Sequence, residues 1–321
     1  MSQSKHLFFV LKILISATLL YLVLRGIDAT KLQIIFHGSR WYLIALAVVL
    51  YSVGQLVCAY RWKLLMPPVG LDLPYGRVAA LYFLGMFFNL FLPTAIGGDA
   101  VKVFYFAREA GELTRPTATV LMDRNTGLAG LLLVAGVVAG VANIDLAGVA
   151  LFPILLGVLL LFVLANFILF FDPTYNLLAK VFQRVKLATL VDLTRKLHAA
   201  FSDYRRAVAR LSAAVAISLV FDLAMISFIY LAAIAIGWTV PFKYFCVFIP
   251  IIALISMAPI TLYGLGLREF SFVYLFSQVG VPKEAGLLLA FLWLFVILVS
   301  SLPGAVIYIF YRRSAASSEA S

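Results

Sequence analysis

In a chain that is otherwise almost wholly apolar, a few charged residues stand where chemistry could happen. Asp99 and Lys102 lie one helical turn apart directly behind Gly97-Gly98, Asp123 and Arg124 are adjacent, Asp222 is isolated, and Arg268-Glu269 follows Gly264 and Gly266. Ionisable side chains in membrane-spanning segments are costly, and they face a cavity or one another rather than lipid. The types present suit holding an anion better than making or breaking bonds. Cys58 and Cys246 fall inside apolar runs, and His6, His37 and His198 are far apart, so no metal-ligand cluster forms by spacing. No nucleotide-binding loop and no Ser/His/Asp ordering occurs, so neither a cofactor nor an enzymatic activity is expected.

The elements that must position these residues are membrane helices. Of 321 residues, 64% are hydrophobic and 12% charged, a balance that excludes an ordinary soluble domain. Full-length spans are expected at 7–24, 41–60, 119–141, 147–171, 212–236 and 285–311, each near the roughly 20 residues a bilayer requires. Between them lie two interrupted stretches, 78–108 and 242–280. In the first, Pro93, Gly97 and Gly98 break the apolar pattern, and in the second Pro259, Gly264 and Gly266 do the same. Broken backbone at membrane depth is tolerated only where it is buried in protein or lines a cavity, and paired breaks of this kind in two halves of a chain point to a transporter site. We therefore read all-α polytopic architecture: about six full spans plus two re-entrant helical hairpins.

Basic residues orient the chain. The segment 172–210 is rich in Lys and Arg; Arg61, Lys63, Arg77, Arg108 and Arg115 form a second set, and Arg312 with Arg313 a third. If both broken stretches are hairpins, all three sets fall on the cytoplasmic side with both termini, as the positive-inside rule requires; the connection from Arg25 to Arg40, with Lys31, is the exception. The halves 1–144 and 145–311 then run in opposite senses, an inverted-topology repeat with an inward-opening hairpin at 78–108 and an outward-opening one at 242–280. Segment 172–210 reads as an amphipathic cytoplasmic helix on Leu193, Leu197, Phe201, Tyr204, Val208 and Leu211, and 312–321 as a disordered tail. The net charge of +11 is attributed to this bias and to anionic lipid, not to nucleic acid.

Individual residues carry further expectations. Asp99 caps the second half-helix of its hairpin, Lys102 either pairs with it or faces a ligand, and Glu269 caps its own half-helix beside Arg268. Asp222 needs a cation, for which Lys102, Arg124 and Arg268 are the candidates. Asn89 and Gln55 make interhelical hydrogen bonds, and most Phe and Tyr residues face lipid or the interface. Backbone amides at the half-helix N-termini, with Lys102, Arg124 and Arg268, would form anion-attracting spots.

Phe88-Asn89, Leu92-Pro93, Gly97-Gly98-Asp99 and Lys102, then Asp123-Arg124 with Gly127, then Pro259, Gly264, Gly266 and Arg268-Glu269 together resemble the lysylphosphatidylglycerol synthase transmembrane region family, over nearly the whole chain. Many relatives have arginine where this chain has Lys102, which keeps the charge but loses bidentate phosphate geometry. In the longer members, the multiple peptide resistance factors, a similar membrane region acts as a flippase for aminoacylated phosphatidylglycerol, and a separate cytosolic domain performs aminoacyl transfer. Stand-alone members are linked to hopanoid or polyprenol-linked glycan handling. The chain ends at Ser321, just after the last span, so the transferase activity is not expected here. The resemblance implies a bacterial inner-membrane lipid translocator whose partners are anionic, aminoacylated or polyprenol-linked lipids. The alternatives are a membrane partner of a lipid-modifying or glycosyl-transferring enzyme and a proton-coupled carrier of a small anion.

Overall fold

The computed structural model describes residues 2–92, 97–146, 148–177, 194–195, 198–199, 201–258, 260–261 and 263–319, with side chains described within 11–310. Pro93 and Pro259, the two hairpin prolines, lie outside the described residues. Eleven helices are described: α1 (Ser2–Arg25), α2 (Ala29–His37), α3 (Trp41–Leu64), α4 (Tyr75–Phe91), α5 (Gly97–Ala110), α6 (Thr114–Ala142), α7 (Leu151–Phe170), α8 (Val208–Ala235), α9 (Phe242–Ser256), α10 (Leu267–Ser277) and α11 (Lys283–Glu319). The protein is an all-α polytopic membrane protein, with five helices among the described residues long and apolar enough to cross a bilayer, or six if the bent pair α1–α2 counts as one span.

Several boundaries differ from the sequence expectations, for identifiable reasons. The connection from Arg25 to Arg40 is largely a helix, α2, turned 84° from α1 and started by Asp28, whose carboxylate accepts from the amides of Thr30 and Lys31. α6 begins at Thr114 instead of 119, so Asp123 and Arg124 sit in the third turn and not near an end. α7 begins at Leu151 instead of 147, because a two-stranded turn pairs Asp145–Leu146 with Val149–Ala150. The last helix continues to Glu319, so residues 312–319 extend it where a disordered tail was expected.

The two interrupted stretches each fold as a pair of short helices, α4 with α5 and α9 with α10. α4 and α5 approach so closely that a Cβ on Gly98 would collide with the Gly85 carbonyl oxygen, and a Cβ on Gly85 would come within 2.6 Å of Lys102 Cγ. Small residues do the same elsewhere: Gly304 of α11 rests on the Phe83 carbonyl of α4, and Gly54 of α3 on the Phe221 ring of α8. Helices in lipid gain no hydrophobic drive from associating, so backbone contact at small residues and dense packing must hold them. The largest buried cluster uses Phe245 and Phe248 of α9, Phe272 and Phe276 of α10 and Trp293 of α11. These aromatics are core residues, a correction to their reading as lipid-facing; Tyr21, Tyr42 and Phe91 do remain exposed.

The pairings come in matched sets. α3 packs on α8; α4 on α11 as α9 does on α6; α3 on α11 as α8 does on α6; and α5 on α6 as α10 does on α11. The outer helices break the pattern, since α1 packs on α10 and α7 on α6. Of the expected amphipathic helix at 172–210, residues 178–193, 196–197 and 200 lie outside the described residues. The remainder is not one continuous helix: 203–206 form a turn, and Phe201 and Tyr204 are buried in the protein, where the Tyr204 hydroxyl donates to the Leu65 carbonyl at 2.6 Å. Nearby, His198 stacks on Tyr175 at 3.9 Å, and Arg205 pairs with Asp172.

Close helix contact predicts an asymmetric response to alanine. Gly304→Ala should cost about 1–3 kcal/mol of stability through overpacking against backbone. Gly157→Ala, in a helix with nothing within 4 Å of the added carbon, should be neutral or mildly stabilising. Thermal unfolding of the detergent-purified protein checks both; equal loss at the two positions would contradict the packing account.

Candidate functional site

Side chains of α4 and α5 line a cavity of about 260 Å³ among the helices. Its charged lining comes from three helices: Arg61 on α3, Asp99 and Lys102 on α5, and Asp123 with Arg124 on α6. Among the described residues, three cations face two carboxylates, which leaves one net positive charge. Gln55, Tyr82, Asn89 and Tyr263 add polar groups, while Met86, Phe221, Met225 and Ile297 supply apolar wall.

Local geometry explains how each charge is held. Asp99 is the hub: its Oδ1 lies 2.8 Å from Lys102 Nζ, one turn along α5, and its Oδ2 accepts from Arg124 Nε across the α5–α6 contact. Lys102 is buried to 6% exposure, and its ammonium lies 4.5 Å from the Tyr82 ring centre and 5.5 Å from that of Trp62, a favourable setting for a desolvated cation. Among the described residues, the partners of the Asp99 carboxylate are these two cations. Asn89 of α4 caps one amide of the first turn of α5, its Oδ1 accepting from the Gly98 N–H at 2.7 Å, so its expected interhelical bond is present.

A second buried pair backs the first. Arg61 Nε donates to Asp123 Oδ1 at 2.8 Å and its Nη1 to Ser218 Oγ at 2.8 Å. The basic-residue count assigned Arg61 to the cytoplasmic surface; it is instead 5% exposed, because α3 runs on to Leu64 and carries it inward. A signal was present: Gly54, Gln55, Cys58, Arg61 and Trp62 continue one stripe of buried positions at spacings of three and four. Asp222, on α8 one turn beyond Ser218, is 5% exposed. Its neighbouring cation is Arg61, not Lys102, Arg124 or Arg268.

The second hairpin is arranged differently. Glu269 and Arg268 are buried and paired with each other, Arg268 Nε donating to Oε1 at 3.0 Å. The other Glu269 oxygen accepts from the Gly266 amide at 2.6 Å, so Glu269 caps α10 as expected. Neither residue lines the cavity. Tyr263, which sequence reading did not single out, reaches it from this hairpin. Tyr263, Gly264 and Gly266 all have positive φ, 50°, 74° and 82°; glycine adopts this without strain, whereas Tyr263 is held there by its surroundings. Each hairpin N-terminus thus has a side-chain acceptor on one amide. The available attraction lies in the cavity's cations.

The Arg61–Asp123 pair should be strongly coupled. Arg61→Met, which leaves Asp123 buried without its donor, should destabilise by on the order of 3 kcal/mol, and adding Asp123→Leu should restore most of the loss. Unfolding midpoints of the single and double variants measure this coupling; simple additivity would show that the pair does not act as a unit.

Comparison with known proteins fits this architecture. A segment of 119 residues is 31% identical to the UPF0104 membrane protein PH1989 of Pyrococcus horikoshii, covering 36% of this chain and 35% of that protein. The matched stretch is about a third of the relative's length, so it speaks to shared membrane architecture. Residues 9–304 match the family described as lysylphosphatidylglycerol synthase TM region. With that match spanning both hairpins and every charged residue of the cavity, the chain belongs to the lysylphosphatidylglycerol synthase TM region family.

Proposed function

We propose that this protein is a lipid translocator that passes a phosphate-bearing headgroup through the α4–α5 cavity while the acyl chains remain in the bilayer. The observation that carries this reading is a cavity within the membrane bundle whose charged lining sums to one positive charge. A phosphodiester headgroup carries one negative charge and would neutralise it. At about 260 Å³ the space suits a headgroup and is far too small for a whole lipid. Lys102 and Arg124 share Asp99, so a phosphate can take one of them without stripping the carboxylate of its partner. Asp99 and Asp123 can in turn receive the ammonium of an aminoacylated headgroup. Arg268, bound to Glu269 away from the cavity, has a structural role in this scheme.

The matched helix pairings support an inverted repeat in which α3–α6 corresponds to α8–α11, a layout suited to exposing one site alternately to two sides. Under this reading the protein resides in a bacterial inner membrane with both termini cytoplasmic, acts without chemical catalysis, and has anionic, aminoacylated or polyprenol-linked lipids as partners. The alternative, anchoring of a membrane enzyme, would draw on the basic segment 172–210 and not on the cavity.

The test is leaflet exchange of headgroup-labelled phosphatidylglycerol in proteoliposomes. Lys102→Ala and Arg124→Ala should each slow exchange about tenfold or more, the effect of losing a charge-assisted contact of about 1.5–3 kcal/mol. Arg268→Lys should leave it nearly unchanged. Full exchange in the Lys102→Ala, Arg124→Ala double variant would overturn the cavity route.

A further inference from the structure

Behind the cavity wall, the mechanism above leaves one buried group unused. Asp222 Oδ2 is fully enclosed and accepts no hydrogen bond among the described residues. The space around it is shaped: a Cβ on Gly130 of α6 would come within 2.6 Å of this oxygen and 2.7 Å of Ser218 Cβ, so α6 has no side chain where it passes the carboxyl group. The charged and titratable groups adjoining Asp222 are Arg61 and Cys58 from α3, with Asp123 of α6 beyond Arg61. Among the described residues, α9 and α11, which also pack on α8, add no charged neighbour to Arg61.

Two carboxyl groups thus compete for one guanidinium. Arg61 is committed to Asp123 and to Ser218, whose hydroxyl lies one turn from Asp222 on the same helix. An ionised carboxylate with a donorless oxygen inside a membrane protein is among the costliest arrangements available, and such groups become neutral instead. Moving Arg61 to Asp222 would impose the same cost on Asp123. The local charges balance only when one of the two carboxyl groups holds a proton.

We propose that Asp222 is a proton-binding site coupled to headgroup passage, with Arg61 shared between Asp222 and Asp123 as the switching element. This rests on the translocation reading and adds its energy source. On release, the Asp222 O–H bond breaks, the proton passes to water on the side then open, and the Arg61 guanidinium, with five N–H donors, keeps Asp123 and takes the new carboxylate as well. With Asp222 neutral, the cavity keeps its net positive charge and attracts an anionic headgroup; with Asp222 ionised, that attraction is cancelled. Proton and anionic headgroup therefore bind cooperatively, and the linkage is reciprocal: headgroup affinity falls as pH rises through the titration of Asp222. Both then cross in the same direction.

Two measurements on the purified full chain test this. Infrared spectra at neutral pH should contain a protonated-carboxyl stretching band that is lost in Asp222→Asn; a spectrum unchanged by the substitution overturns the proton site, whether or not any lipid moves. In proteoliposomes, an imposed pH gradient should bias phosphatidylglycerol exchange several-fold toward the alkaline side in wild type. Asp222→Asn should exchange without that bias. Wild-type exchange indifferent to the gradient overturns the coupling while leaving translocation intact. A band at Asp222 with no exchange under any gradient overturns the translocation reading, and the coupling with it.

Discussion

Everything at the centre of this protein depends on balancing charge in a medium that does not solvate it. A lone ion buried in a helix bundle costs several kcal/mol even after relaxation, and only close pairing with full hydrogen bonding offsets that. Asp99 answers for Lys102 and Arg124, Asp123 for Arg61, and Glu269 for Arg268. The helix packing follows from this requirement. α3, α5 and α6 must converge for these pairs to close, and glycines at 85, 98 and 130 let the backbones and carboxyl groups come near enough. Lys102, held beside two aromatic rings as well as a carboxylate, shows how many partners one desolvated cation recruits.

The two hairpins put the same sequence grammar to different uses. In the first, an asparagine from the preceding helix caps a first-turn amide of α5, and the aspartate holds two cations at a cavity. In the second, the acidic residue is the cap and also neutralises its own arginine, and among its described residues Tyr263 reaches the cavity. The cavity is lined mainly by the first half of the molecule, as one end-state of the proposed two-sided site would be. On the proposed inverted repeat, the helix pairings that match between α3–α6 and α8–α11 would let the second half take the complementary arrangement.

Much of this was legible in the sequence, and the misses have physical causes. Apolar runs and Pro/Gly breaks located the spans and both hairpins, because a bilayer fixes helix length and forbids loose backbone. Asp99, Lys102, Asp123 and Arg124 stood out for their cost in lipid, and they do meet. Arg61 was hidden because a basic residue near the end of an apolar run has two readings, surface anchor and buried partner, and the counting of positive charge favours the first. Tyr263 gave no signal at all: its place depends on three positive-φ residues in a short loop. The Asn89 cap spans nine residues across a break, beyond the local window in which caps are read.

The central claim is that this cavity is a passage reached from both membrane faces. It is tested most directly by placing a single cysteine at Met225, on the apolar wall of the cavity, after replacing Cys58 and Cys246 with serine. Labelling with a membrane-impermeant thiol reagent would be measured in vesicles of each orientation, with and without glycerol phosphate as a headgroup probe. The account predicts labelling from both faces and protection by glycerol phosphate that is lost in Lys102→Ala. Labelling from one face only, under every gradient and lipid composition tried, would contradict it.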